Sequence, residues 1–544
     1  MFQLYDTTLR DGVQGEGLAL TVADKLAIAR HLDAFGVTFI EGGWPGAIPK
    51  DTEFFRRAHT ELTLRNAELA AFGSTRRPDT AVTTDPQVTA LLAAQTPVVT
   101  IVAKSHVRHV ELALRTTLAQ NVAMIRDTVR HLVREGRRVF LDAEHFFEGY
   151  LADPFYATEI VRAAAEAGAE AVVLCDTNGG MLPDQVGAIV TAVGETGARL
   201  GVHCHDDSGC AVANTLAAVD AGVDHVQVTA HGIGERCGNA NLFTVAANLV
   251  LKKGIPVVSE DQLATMAGTA QRITAITGVP ANRAAPYVGA SAFAHKAGLH
   301  ASALRVDSTL YQHIQPDAVG NARRTLVSDM AGRASIELKA HELGYALTAG
   351  SDVAARVTER VKTLENHGYA FESADASFEL LLREELREGV SARPFDIDSW
   401  HVTVRRPKPG GAVLTVAEVT VRVGDVVRSA SGEGNGAITA LDRALRAALL
   451  EFFPGLLGLE LVGHRVRVVE ESADGDPVVR VLASFHDGSR RWKTVGVEAN
   501  VIGASLRALV DAHQYAVLRG GLDPADSVSG RTRRSQIGAD HVRT

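Results

Sequence analysis

Two histidines two residues apart, His203 and His205, stand in the string RLGVHCHDD, where an apolar run gives way to Asp206 and Asp207. In a β-strand the side-chain period is two, so both imidazoles face one side and can grip a single ion. The alternative for the pair is two satisfied polar residues at a strand end. Asp11, in DTTLRDG, offers a carboxylate, and the helix N-cap expected near Thr21 lies too far along the chain to account for it. Asn239, in GERCGNANL, adds a hard amide oxygen, although an asparagine after glycine is also a common turn residue. Two imidazoles with carboxylate and amide oxygens leave room for two substrate oxygens around an octahedral ion. That set favours Mg²⁺ or Mn²⁺ over Zn²⁺, since no thiolate is offered. Such an ion, chelating a 2-oxo acid, polarises its carbonyl, and Arg10 beside Asp11 can stabilise the developing alkoxide. The base this chemistry needs is Glu144, in DAEHFFEGY, where a partly apolar surrounding is expected to raise a carboxyl pKa into a range suited to proton transfer. Its plainer alternative is a structural partner for Arg10 or Lys104.

These residues need a scaffold that brings distant strand ends together. To about residue 255 the chain alternates eight short apolar runs (FQLYD, VTFIEGG, AELAAFGS, PVVTIVAKS, RRVFLDAEH, AEAVVLCDTNG, RLGVHCHDD and VDHVQVTAHG) with helix-period segments, several closed by a glycine. Eight β-α units in about 250 residues is the expectation for a (β/α)8 TIM barrel, with the chemistry at the C-terminal ends of the strands. The rival, an open doubly wound sheet, is disfavoured because no GxGxxG follows the first strand and polar residues end nearly every strand. All the candidate residues above fall at such ends.

The 544-residue chain is long enough for several domains, and 46% hydrophobic with 22% charged residues describes globular material throughout most of it. A net charge of −9 without a dense basic run argues against nucleic acid as a partner. No apolar run approaches the length of a membrane span, and the N-terminus MFQLYDTTLRDG lacks the features of a secretory signal. The four cysteines, Cys175, Cys204, Cys210 and Cys237, lack zinc-type spacing and are expected to be buried, reduced thiols, which with the rest suggests a cytoplasmic protein.

The strings DTTLRDGVQGEG, FIEGGWP, LDAEHFFEGY, VHCHDDSGCAVANTLAAVDAGVDHVQVTAHGIGERCGNANL and GLHASALRVDSTLY together resemble the metal-dependent acyltransferases that include the isopropylmalate, homocitrate and citramalate synthases. The likeness spans about residues 3 to 515, and the segments EGGWPGAIPKDTEFF and DAEHFFEGY are closest to the citramalate branch. The resemblance implies that Asp11, His203, His205 and Asn239 hold the metal, that Arg10 stabilises the enolate or oxyanion, and that Glu41 positions Arg10. It implies a substrate-binding role for Gln14, a carboxylate-binding role for Thr177 and proton transfer for Glu144. His300 and Tyr311 match a histidine and a tyrosine from outside the barrel that complete the acetyl-CoA half of the site. Ser308 departs from the asparagine that related citramalate synthases can carry there.

The implied domains are a catalytic barrel over 1–270, helical linker subdomains over 271–392, an α+β regulatory domain over 393–520 and a disordered tail over 521–544. From about residue 395 the pattern becomes strand, turn, strand, helix, and it repeats about 65 residues on, so two units are expected to pack into one sheet with helices on one face. Within the first copy Gly432, Gly434 and Ala437 fit GxGxxA, but no GKS or GKT follows, no βαβ crossover is visible and the second copy, VGVEANV, is taken to lack the glycines, so a nucleotide loop is disfavoured. The resemblance implies an end-product amino acid as effector of this domain, isoleucine first, with the glycines before the helix suiting its carboxylate. It also implies a homodimer. The activity it implies is a Claisen-type condensation of acetyl-CoA with pyruvate to citramalate, with the (R) product and a first step towards isoleucine expected. Another 2-oxo acid, a retro-aldol lyase and a non-catalytic amino-acid sensor are the alternatives.

Overall fold

The computed structural model describes residues 2–347, 352–386, 393–406, 409–469 and 477–520. The chain divides into two compact units. The first holds the residues up to Phe293 together with Ile314–Arg323, and the second holds Ala294–His313 with the described residues from Arg324 on.

In the first unit the eight expected runs are eight parallel strands: β1 (Gln3–Asp6), β2 (Phe39–Glu41), β3 (Glu68–Ser74), β4 (Val98–Lys104), β5 (Arg138–Glu144), β6 (Ala171–Asp176), β7 (Leu200–Cys204) and β8 (His225–Val228). They close in sequence order, β1 pairing with both β2 and β8, into a barrel ringed by helices. Local signals place the elements. The helix Val22–Phe35 starts at a Thr21/Asp24 capping box and ends at Gly36, whose φ of 100° is left-handed. Outward strand residues such as Leu4, Ile40, Ile101 and Leu141 pack under the helices. The inward positions change character along the barrel. At the floor Tyr5, Phe39, Ala70, Val98, Phe140 and Ala171 form a separate apolar cluster, and above it the same period of two sets Glu41, Thr100, Asp142, His203 and Gln227 inside. The floor fills space and the upper layer supplies chemistry.

In the second unit β9 (Ala294–His295) pairs with β10 (Arg324–Thr325), and helices Arg333–Glu342, Asp352–Asn366 and Asp375–Leu386 follow. The repeat is present but differs from expectation in two ways. Each copy has three antiparallel strands before its helix: β11 (Asp396–Arg405), β12 (Leu414–Val423) and β13 (Val426–Gly434) before Ala437–Leu449, then β14 (Glu460–Val469), β15 (Val478–His486) and β16 (Arg491–Glu498) before Val501–Gly520. They form two three-stranded sheets rather than one sheet, and residues of both copies share one apolar core. Gly432 and Gly434 lie in β13 against the helix that follows. A Cβ on Gly432 would stand 2.5 Å from the Ala444 nitrogen, and one on Gly496 of β16 would stand 2.0 Å from the Ala504 oxygen. Contrary to expectation, the second copy does not lack a glycine at this place: Gly496 is its own, and these glycines serve close helix-on-strand packing. The tail expected to be disordered lies outside the described residues, as do residues 387–392 at the expected domain boundary.

The thiols also differ from expectation: Cys175 and Cys204 are buried, but Cys210 is only partly so and Cys237 is exposed. Both sit in the loops after β7 and β8, where the chain has left the barrel wall.

Candidate active site at the barrel mouth

The turn after β1 carries Arg10 and Asp11, and the Thr7 carbonyl holds it by accepting from the N–H groups of Arg10 and Gly12. Glu41, at the end of β2, is fully buried and accepts hydrogen bonds from Tyr5 Oη (2.6 Å), Thr7 Oγ1 (2.5 Å) and Arg10 Nε (2.6 Å). Arg10 also donates to Asp11 Oδ2 at 2.9 Å, and its guanidinium lies 3.9 Å from the centre of the Phe72 ring. Burial works against the Arg10 charge, but Glu41, Asp11 and Asp142 outweigh it and push the guanidinium above its ordinary pKa. It is a fixed cation.

Asp11, His203 and His205 converge, with one potential ligand atom from each lying within 4.8 Å of the others, and all three are buried. Burial opposes ionisation of Asp11, yet Arg10, the two imidazoles and a hydrogen bond from Asn239 hold its carboxyl down at about 2. Burial lowers both histidines, His205 to about 4 with His203 adding to the shift, so both rings are neutral at pH 7, as ligation requires. Asn239 Nδ2 donates to Asp11 Oδ1 and to the Ile233 carbonyl, at 3.2 Å each. Its Oδ1 and His205 Nδ1 are buried without a hydrogen-bond partner among the described residues. Unsatisfied buried polar atoms are uncommon, and these two belong to residues that sequence reasoning assigned to an ion. The residues present fit a divalent cation.

Glu144 ends β5 in register with Lys104 at the end of β4, and the two side chains form an ion pair. Of the alternatives offered for Glu144, Lys104 is the partner, because Arg10 is taken by Glu41 and Asp11. Thr177 Oγ1 accepts from the backbone N–H of His145 at 2.8 Å, and His145 takes a left-handed φ of 57° to make that approach. Arg10, Asp11, Gln14, Glu144, Thr177, His203 and His205 line one cavity of about 500 Å³, with Gln14 at its exposed rim. Glu41 and Asn239 lie behind that lining. His300 and Tyr311 belong to the second unit, where their rings stack with centroids 4.1 Å apart.

Sequence reasoning passed over Asp142 and Gln227, and left Trp44, Phe72 and Arg76 of the cavity wall unassigned. Asp142 precedes Glu144 by two and Gln227 is opposite His203 in the β7–β8 register, so strand period and barrel order would have found both.

Three sequence families match the chain in tandem: HMGL-like over residues 1–273, the homocitrate synthase post-HMGL domain-like family over 287–369, and the LeuA allosteric (dimerisation) domain over 372–517. Barrel, site and tandem order together define an HMGL-like enzyme with an appended LeuA-type allosteric domain. The (R)-citramalate synthase of Streptomyces coelicolor is 57% identical over 96% of this chain and 98% of its own length. That of Aquifex aeolicus is 46% identical over 95% and 98%. Among solved structures, an HMG-CoA lyase from Bacillus subtilis is similar at 18% identity with a TM-score of 0.44, covering 51% of this chain and 94% of that one. The chain belongs to the citramalate synthase family.

Proposed function

We propose that this chain condenses acetyl-CoA with pyruvate to give (R)-citramalate and CoA. The observation that carries the reading is 57% identity over 96% of the chain to an (R)-citramalate synthase, in a chain that has Arg10, Asp11, Glu144, His203, His205 and Asn239. Asp11, His203, His205 and Asn239 would hold a divalent cation, Mg²⁺ or Mn²⁺ before Zn²⁺, which when bound would supply Lewis acidity at the pyruvate carbonyl. Thr177 receives the pyruvate carboxylate, because its hydroxyl accepts from His145 and still has its own hydrogen to donate. Glu144, with His300 and Tyr311 serving the acetyl-CoA half, takes a proton from the acetyl methyl group. The resulting carbon nucleophile bonds to the pyruvate carbonyl carbon, and the electron pair passes to the carbonyl oxygen. Arg10, immobilised by Glu41 and Phe72, faces that negative charge with donors that need no reorganisation. Water then cleaves the thioester, releasing CoA and the second carboxylate of citramalate.

The domain over 372–517 is read as the receiver of a branched-chain amino acid, isoleucine first, and as part of a homodimer contact. The place of action is the cytoplasm; among the described residues no helix is long and apolar enough to cross a membrane. CoA release assayed over pyruvate, 2-oxoisovalerate and 2-oxoglutarate tests the substrate, with the highest kcat/KM expected for pyruvate. A higher value for either of the others moves the chain to a different branch, and no release with any of them overturns the reading.

A further inference from the structure

Two buried polar side chains beneath the mouth have no part in the steps above. Asp142, on β5, is 4% exposed, and Gln227, on β8, is 1% exposed. Gln227 Nε2 donates to Asp142 Oδ1 at 2.8 Å, and Gln227 Oε1 lies 2.8 Å from Nδ1 of His203, its register partner on β7. Burial, with Glu41 adding to it, pushes the Asp142 carboxyl up to about 8; in either charge state the acid has a lone pair for the amide N–H. With the NH₂ end committed to Asp142, the carbonyl end is left for His203. A carbonyl oxygen only accepts, so His203 carries its hydrogen on Nδ1 and keeps the Nε2 lone pair free. That Nε2 lies 3.6 Å from Asp11 Oδ2, inside the proposed ligand cluster.

Barrel interiors are ordinarily filled by branched apolar side chains, and burying an amide and a carboxyl there costs free energy unless each is paired. Here the pairing runs across three strands and ends on a ligand nitrogen. We propose that Gln227, braced by Asp142, is a positioning residue that fixes the tautomer and ring orientation of His203 for a divalent cation. The proposal rests on the reading of Asp11, His203, His205 and Asn239 as a metal site.

The test is Mn²⁺ binding to the full-length, metal-stripped protein by calorimetry, with CoA release alongside. Gln227→Leu removes the acceptor and should weaken Mn²⁺ binding roughly 10- to 100-fold, the usual loss when a metal ligand's outer partner is removed. The double variant Gln227→Glu with Asp142→Asn reverses the donor pair: the new amide donates to the new carboxylate, which still accepts from His203 Nδ1 at unchanged net charge. It should recover most of the affinity, and this keeps the test open if Gln227→Leu folds poorly. Wild-type Mn²⁺ affinity in Gln227→Leu, or a swapped pair as weak as Gln227→Leu in a protein with wild-type thermal stability, overturns the positioning role and leaves the metal site standing. Failure of the wild type to bind Mn²⁺ overturns the metal reading and this proposal with it.

Discussion

Glu144 and Lys104 stand side by side at the ends of neighbouring strands, and the lysine fixes the carboxylate by charge and by reach. If Glu144 takes the acetyl proton, Glu144→Gln keeps its shape and removes the acceptor, so kcat should fall by about 10² or more with little change in KM. Lys104→Met leaves the acceptor but frees it to wander, so kcat should again fall more than KM rises, with Lys104→Arg intermediate. Steady-state CoA release at saturating pyruvate decides both, and an unchanged kcat in Glu144→Gln means that the proton leaves by another route. At this scale the sequence was most legible where residue type alone limits the role: His-x-His and Asp11 point to a cluster that could hold an ion, and the structure brings these three side chains together. It was least legible where the role depends on a neighbour. Nothing in the string IVAKSH says that Lys104 pairs with Glu144, because that follows from the register of β4 on β5. Gln227 reads as an ordinary strand residue until His203 is known to be beside it.

The barrel elements were legible because period-two runs, helical stretches and closing glycines agree with one another, as they do from Phe2 to Gly36. The loops carry information that periodicity does not. After β2 the pair Gly42–Gly43 is demanded by contact: a Cβ on Gly42 would lie 2.4 Å from the Phe54 ring, and one on Gly43, at φ 137°, would lie 2.3 Å from the Asp51 carboxyl carbon. Asp51 accepts from the Trp44 backbone N–H at 2.9 Å and pairs with buried Lys25, whose Nζ donates to the Gly42 carbonyl at 3.0 Å. This clamp seats Trp44 in the cavity wall. Lys25→Met strands the Asp51 charge in the interior, so equilibrium unfolding should show a loss of about 3–5 kcal/mol. The floor gives a pH prediction. Burial pushes His225 down to about 3, with Arg199 adding to the shift, and the folded barrel keeps it neutral while the unfolded chain protonates it near 6.5. Its contribution to stability is therefore complete above pH 6.5 and is lost as pH falls towards 3, at roughly 1.4 kcal/mol per pH unit. Urea midpoints between pH 6.5 and 4 should fall more steeply for the wild type than for His225→Gln; parallel curves would mean that the buried imidazole is protonated in the folded state.

Across the whole molecule, sequence pattern revealed that the last third is a repeat but not how the copies assemble. The three-strand count escaped it because β11 and β14 are almost wholly exposed, so little in their sequences is constrained to match between the two copies, whereas β12, β13, β15, β16 and the helices carry the buried positions. The two copies share one core to which both helices contribute, through Ala440, Ala444, Ala504 and Ala508 among others, so a change of packing in one copy bears on the other. If isoleucine acts on this domain, it must prefer one arrangement of that core over another, because a ligand with equal affinity for both shifts nothing. The coupling must then be reciprocal: isoleucine should weaken pyruvate binding by the same factor by which pyruvate weakens isoleucine binding. Calorimetric titration of isoleucine, leucine, valine and lysine into the full-length protein, with and without saturating pyruvate, measures both directions. Isoleucine is expected to bind most tightly and to lose affinity when pyruvate is present. Binding of none of the four overturns the effector reading, while tight isoleucine binding that pyruvate does not alter would make the site real but uncoupled from catalysis.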